Sequence, residues 1–120
     1  CNLVTRSQMK NFEKVLDRLF DKFGIDFEFT KHFRERLSHP RNNPCITLKE
    51  LAEFMKKVYS KQGKRIKNFK DAEAILVDVQ RDLNIPVVIE YDRKNDEFEV
   101  RAKTIMRKKN FRSPDKKVKY

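Results

Sequence analysis

Glycine, proline and cysteine are scarce in this chain of 120 residues, and tryptophan is absent. Two Gly and four Pro leave few interruptions, so most of the chain is expected in helices and strands. The isolated Gly exclude a glycine-rich phosphate loop. Two Cys at irregular spacing are too few for a disulfide framework. No cluster of Cys, His and carboxylates has the spacing of metal ligands, so neither a metal site nor a cofactor is expected. Cys45 is expected as a buried, unreactive thiol in a reduced compartment.

Long apolar runs are missing as well. None approaches the ~20 residues that a membrane helix needs, so no membrane association is expected. Apolar residues nevertheless make up 38% of the chain and include ten Phe, which argues against disorder although 39% of the residues are charged. This length predicts one domain, over residues 1–107, followed by a basic tail over residues 108–120.

The net charge of +11 is concentrated in two places. Residues 101–120 hold nine Lys and Arg against one acid, whereas the first hundred residues hold 20 against 17. A second run, from Lys56 to Lys70, contains seven basic residues and no acid. Two such clusters create a positive potential that attracts phosphates. A merely solubilising role for the basic residues is the alternative.

Capping signals predict three helices. Thr5 with Gln8, and Thr47 with Glu50, have the spacing of capping boxes, and Thr30 can cap a shorter helix. Apolar residues follow at steps of three and four. The helices are expected at about residues 6–23, 31–37 and 47–62. Between the first two, Ile25–Phe29 is expected as a short strand or an extended arm.

The second half of the chain predicts strands. Runs rich in Val and Ile occur at 74–79, 85–91 and 97–106, and a polar turn at 92–96 joins the last two as a hairpin. The expected fold is α+β, with N-terminal helices packed on one face of a C-terminal three- to four-stranded antiparallel sheet. Strict alternation puts Thr104 on the same side as Phe98 and Val100, unless a bulge or the strand end frees it.

One constellation could catalyse a reaction. His32 and Arg36 lie one turn apart on the short helix, with His39 three residues later. An imidazole can move a proton on or off a ribose 2′-oxygen, while a guanidinium holds the scissile phosphate. The alternative is a solvated helix face.

A second constellation could bind nucleic acid. Basic residues interleaved with Phe111 at the end of the last strand suit phosphate contact and base stacking. The alternative is an edge strand protected by charge, with Phe111 anchoring the tail on the core. The predicted nucleic-acid contacts are Lys61, Lys64, Arg65, Lys67, Arg101, Lys103, Arg107, Lys108, Lys109, Phe111 and Arg112.

Four segments carry a resemblance: His32–Leu37, Thr47–Leu51, Asn84–Ile89 and Lys103–Phe111. Over roughly residues 28–113 the chain resembles small proteins of large tailed bacteriophages, marine ones especially, which have no established activity. The stretch KTIMRKKNF is the most specific part. This resemblance implies a location in the host cytoplasm or in the phage particle.

The order of elements is also similar to the superfamily of small nucleases that includes barnase, EndoU and the RelE-type toxins. That similarity implies that His32 and Arg36 are catalytic, and that Thr104 and Lys103 line the cleft. Fold-level analogy alone does not establish activity.

Three hypotheses follow from the sequence. The first is a protein that binds the phosphate backbone of a nucleic acid, with RNA expected rather than DNA. The second is a metal-independent endoribonuclease that uses His32 and Arg36. The third is a virion-structural or protein-interaction module whose basic tail meets an acidic partner.

Overall fold

The computed structural model describes residues 2–120, and over this range the chain forms an α+β fold. Helices α1 (Arg6–Phe20), α2 (Lys31–Leu37), α3 (Leu48–Ser60) and α4 (Lys64–Lys67) combine with six strands. The strands are β1 (Ile25–Phe29), β2 (Ala72–Asp78), β3 (Leu83–Asp92), β4 (Glu97–Ala102), β5 (Met106–Arg107) and β6 (Lys116–Lys119). The α+β prediction is therefore confirmed.

The predicted helix starts are confirmed. Both capping boxes form, at Thr5 with Gln8 and at Thr47 with Glu50, and Thr30 caps α2 by accepting from the Phe33 N–H. Gly24, at φ 67°, ends the 3₁₀ turn (Asp21–Phe23) that continues α1. The short α4 was not predicted, because four residues between turns show no apolar period.

The sheet differs from the prediction of a purely antiparallel one. Its order is β1-β4-β3-β2-β6, with β5 also pairing β3. The central strands are antiparallel as expected, but β1 pairs β4 in parallel and β6 pairs β2 in parallel. The sheet is mixed because each added edge strand is separated by long connections from the strand it joins, so no hairpin dictates its direction.

The C-terminal segment predicted as a basic tail is partly a strand. Lys116–Lys119 pairs with Ala74–Val77 as an edge of the sheet, and Val118 is 2% exposed. Tyr120 packs against the core and lies 6.4 Å, ring to ring, from Phe54. This strand was not predicted because three of its four residues are lysines, and only Val118 and the following Tyr120 show the alternation of apolar residues.

The strand predicted over 97–106 is interrupted. Val87 pairs with Ala102 and Asn84 pairs with Met106, so three residues of this strand stand opposite two of β3. One extra residue of this kind is a β-bulge, and it reverses which side chains face the helices. Ile105 is consequently fully buried on the helix side of the sheet, although strict alternation predicts that it faces the side away from Val100.

One core lies between the helices and one side of the sheet. Its largest fully buried side chains include Phe20, Phe27, Phe33 and Phe54, each of which contributes about 1.5–3 kcal/mol relative to exposure. Cys45 is half-buried and disulfide-bonded, so the expectation of a buried free thiol is wrong. No helix within residues 2–120 has the length and apolarity that crossing a bilayer demands.

Candidate nucleic-acid interface

The two basic runs of the sequence meet at the β6 edge of the sheet. Arg65, on α4, donates a hydrogen bond from Nη1 to the carbonyl of Lys119, on β6. Its guanidinium carbon lies 5.1 Å from the centre of the Tyr120 ring. A residue of the 56–70 run is thus fixed against the C-terminal strand, so the two basic segments are adjacent in the fold.

The geometry of β6 explains this contact. Tyr120, which follows β6, donates a backbone hydrogen bond to Val77 of β2 and accepts one from Val79, just after β2. Peptide groups alternate in direction along a strand, so those of Lys119 point away from β2. The Arg65 guanidinium therefore caps a carbonyl on the outer edge of the sheet.

We call this surface the basic edge. Its members are exposed cations of β6, α4 and the turn before α4, together with the half-buried Arg65: Lys61, Lys64, Arg65, Lys116, Lys117 and Lys119. The three lysines of β6 were not predicted individually, although the tail composition had marked their segment.

Near this surface, the buried Asp78 forms ion pairs with two further cations. Lys57 Nζ lies 2.8 Å from its carboxylate and Arg81 Nη1 lies 3.1 Å from it. Burial raises the pKa of Asp78, but the hydrogen bonds from Lys57 and Arg81 outweigh it and leave the pKa below its ordinary value. These two cations therefore stabilise the fold at the end of β2.

Arg107, a predicted nucleic-acid contact, instead holds the fold together. Its Nη2 lies 2.9 Å from both carboxylate oxygens of Glu50, and its guanidinium also donates to three backbone carbonyls, those of Pro44, Cys45 and Arg81. Its side chain is 15% exposed. The bulge is the physical reason, because it turns Arg107 toward the helices and onto the start of α3.

Other predicted contacts already have protein partners. Lys103 Nζ lies 2.9 Å from Glu73, and Arg101 Nε lies 3.6 Å from Glu28. Lys67 Nζ lies 5.3 Å from the centre of the Phe98 ring. Exposed ion pairs of this kind are worth little, so Lys103 and Arg101 could exchange partners on binding.

The loop after β5 carries the remaining predicted contacts. Lys108, Lys109 and Arg112 are exposed, and Phe111 is half-buried. The backbone of Lys108 is fixed, since its N–H donates to Asp82 and its carbonyl accepts from Asn84 Nδ2.

The structure brings the two histidines of the catalytic hypothesis together around Arg36. Arg36 Nε donates to His32 Nε2 over 3.2 Å, and its Nη1 lies 3.4 Å from His39 Nδ1. The same His39 nitrogen accepts from the Arg41 N–H at 3.0 Å. A guanidinium and a backbone N–H can only donate, so His32 Nε2 and His39 Nδ1 are the acceptors of these hydrogen bonds.

Thr104 lies in the bulge, between β4 and β5, and is half-buried. Its neighbour Lys103 accepts a hydrogen bond from Thr30 Oγ1 at the start of α2, and Ile105 accepts one from Asn42. The bulge segment thus runs beside α2. The Lys103 ammonium, however, pairs with Glu73 on β2. It does not pair with His32, Arg36 or His39, which we call the histidine cluster.

Sequence reasoning missed a further set of cations. A cleft of about 640 Å³ separates the first half of α1 from the start of α2, and its walls carry Arg6, Lys10, Lys31 and Arg34. The signal was present as two basic pairs at helical spacing, but nothing in the sequence showed that the two helices face each other.

No protein-family model, curated protein or solved structure matches this chain. Among residues 2–120, no group of three or more His, Cys, Asp or Glu is placed to hold a metal ion. The functional assignment therefore depends on the geometry of the basic edge, the histidine cluster and the cleft.

Proposed function

We propose that this protein binds nucleic acid through the phosphate backbone, and that the basic edge is its contact surface. The observation that carries the proposal is the hydrogen bond from Arg65 to the Lys119 carbonyl, because it joins the two basic runs into one surface. Side chains alternate along β6, so Lys117 and Lys119 share the face opposite the buried Val118. Two ammonium groups spaced along a strand suit a chain of phosphates, which they contact without reading sequence.

RNA is the expected ligand, in the host cytoplasm or the phage particle as the bacteriophage resemblance implies. A single strand suits a narrow edge, since its backbone can follow β6 while its bases turn away. Exposed Lys109 and Arg112, with Phe111 nearby, would extend the contact.

Salt dependence of binding tests the proposal. We expect the affinity for a labelled single-stranded RNA, measured by fluorescence anisotropy, to fall steeply from 50 to 300 mM salt. The triple variant Lys116→Gln, Lys117→Gln, Lys119→Gln should bind at least about tenfold more weakly, and its salt slope should drop by about 2, since each lost single-strand contact contributes about 0.7.

The matched control removes three positive charges elsewhere. Lys14→Gln, Arg18→Gln, Lys49→Gln alters exposed residues of α1 and the first turn of α3 and should keep most of the affinity. Equal losses in both variants, or an affinity insensitive to salt, would contradict the proposal and favour the protein-interaction hypothesis. A parallel titration with DNA of the same sequence compares the two nucleic acids.

A second candidate function, metal-independent endoribonuclease, has one observation in its favour. Arg36 hydrogen-bonds His32 and lies within 3.4 Å of His39. One imidazole could remove the proton of a ribose 2′-hydroxyl as that oxygen attacks phosphorus. The other, once protonated, could give a proton to the departing 5′-oxygen, and Arg36 would stabilise the phosphorane charge.

The nuclease test is direct. RNA incubated with the protein and EDTA should yield ends with 2′,3′-cyclic phosphate, and His32→Ala should abolish them while leaving RNA affinity unchanged. Intact RNA after prolonged incubation would exclude this function, but it would not contradict the proposal that the protein binds nucleic acid.

A further inference from the structure

The cleft between α1 and α2 lies apart from the basic edge. One wall is a face of α1 that presents Arg6, Met9, Lys10 and Glu13, at spacings of three and four. The end of β1 and the first residues of α2 form the other wall, with Phe29 at the bottom. At about 640 Å³ the cleft is in the range of small-ligand sites, roughly 300–1,000 Å³.

Positive charge dominates the lining. Four cations face two carboxylates, which leaves a formal charge of +2. Both carboxylates have partners, since Glu13 accepts a hydrogen bond from the Phe29 N–H at 3.1 Å and Glu28 lies 3.6 Å from Arg101. Lys31 also lies 3.7 Å from Glu35, which is outside the lining, so carboxylates offset part of the positive charge of the cleft but not all of it.

The cations also come from separate elements. Arg6 and Lys10 belong to α1, while Lys31 and Arg34 belong to α2, where Arg34 Nη1 donates to the Val4 carbonyl at 3.4 Å. This contact fixes Arg34 at the cleft. An anion between the helices would be approached from both sides, which suits a compact group with several oxygens.

The floor restricts the ligand further. Met9 is 4% exposed and Phe29 is 8% exposed, and the Phe29 ring already packs 4.9 Å from Phe33. Little apolar surface is left for a hydrophobic ligand, and the positive charge disfavours a metal cation. A phosphomonoester carries about −1.5 to −2 at pH 7 and matches the lining charge.

We propose that this cleft binds a phosphomonoester dianion. Two sources share that chemistry, a free nucleoside monophosphate and the 5′-phosphate end of an RNA strand. The site depends on neither the basic edge nor the histidine cluster, so it stands or falls separately from the proposed function.

Calorimetric titration of the intact chain with adenosine monophosphate and with adenosine tests the dianion. We expect binding of the monophosphate and none of the nucleoside. Arg6→Gln, Lys10→Gln should weaken binding by about tenfold for each cation removed. Lys14→Gln, Arg18→Gln removes the same charge from the same helix outside the cleft and should keep the affinity.

The strand end is tested with RNA of one sequence carrying either a 5′-phosphate or a 5′-hydroxyl. A preference for the phosphate that disappears in Arg6→Gln, Lys10→Gln and persists in the β6 triple variant supports the site on a strand. Binding of the monophosphate without that preference assigns the site to free nucleotide. Failure of both, or an equal loss in the α1 control, overturns the proposal.

Discussion

The two edges of the sheet satisfy their unpaired backbone groups with side chains of opposite charge. An edge strand leaves backbone groups without a strand partner. At the β1 edge, α1 supplies acceptors: Asp17 Oδ1 lies 3.1 Å from the Phe27 N–H, and Glu13 Oε2 lies 3.1 Å from the Phe29 N–H. At the β6 edge the partner is a donor, the Arg65 guanidinium on the Lys119 carbonyl.

The two edges differ in how many charged side chains they carry beyond those that bond to the backbone. At the β1 edge, Glu13 and Asp17 accept hydrogen bonds from the backbone, and Glu28 lies near Arg101. Asp26 lies beside Asp17, so this edge carries a carboxyl pair. One arginine caps β6, yet Lys116, Lys117 and Lys119 remain exposed beside it. Edge protection accounts for some of these lysines, and the excess is what a phosphate backbone would contact.

The largest expected effect comes from breaking the β6 edge from within. Val118→Asp puts a carboxylate at a side chain that is 2% exposed in the core, so we expect a loss of at least about 3 kcal/mol of stability and of RNA binding together. Chemical denaturation and anisotropy measure the two. Lys117→Asp, one position away and exposed, should weaken binding and leave the free energy of unfolding nearly unchanged. A stable Val118→Asp variant would contradict the β6 pairing.

Arg65 tests the junction between the basic runs. Arg65→Met keeps the aliphatic stem but removes the hydrogen bond to Lys119 and the contact with the Tyr120 ring, so we expect a loss of about 1–2 kcal/mol. Lys64→Met removes the same charge from the exposed neighbouring residue and should leave stability within about 0.5 kcal/mol of the parent. Equal stabilities in a denaturant titration would show that Arg65 does not hold β6.

Local signals predicted the local structure well. Thr5, Thr30 and Thr47 marked the helix starts because a cap is decided by residues three positions apart. The hairpin between β3 and β4 was found for the same reason. The parallel pairings of β1 and β6 join segments more than 40 residues apart, and no short pattern specifies such a partner.

The candidate sites show the same division. Composition marked Arg65 and the C-terminal segment as candidates, but the contact between α4 and β6 could be seen only in the fold. Arg107 was predicted as a nucleic-acid contact, and its pairing with Glu50 was not foreseen because the alternation does not show the extra residue that turns it inward. Arg6 and Lys10 were missed because their significance depends on α2 standing opposite.

A smaller effect is expected at the β1 edge. Glu13→Ala removes the acceptor for the Phe29 N–H and should cost about 1 kcal/mol, measured as the shift in the denaturation midpoint. Glu13→Gln keeps an oxygen at that position and should recover most of the loss. If both variants lose equally, the charge rather than the hydrogen bond protects this edge.

The smallest effect, and the sharpest contrast between the edges, concerns Asp17. Burial and a hydrogen bond with Asp26 raise the pKa of Asp17 from its ordinary 3.8 to about 7. Between about pH 4 and pH 7 the folded state therefore binds more protons than the unfolded state, and the free energy of unfolding decreases as pH rises. Asp17→Asn should remove this decrease and be more stable than the parent at pH 8, by somewhat under 1 kcal/mol because partial exposure screens the charge.

Denaturant titrations at pH 5 and pH 8 measure this contrast. Asp26→Asn removes the neighbouring carboxylate and should also flatten the pH dependence, while the double variant should gain little over Asp17→Asn, since the two groups act as one pair. Arg65→Met at the opposite edge should shift stability equally at both pH values, because a guanidinium does not titrate in this range. Parallel curves for the parent and Asp17→Asn would show that the carboxyl pair leaves the β1 edge insensitive to pH.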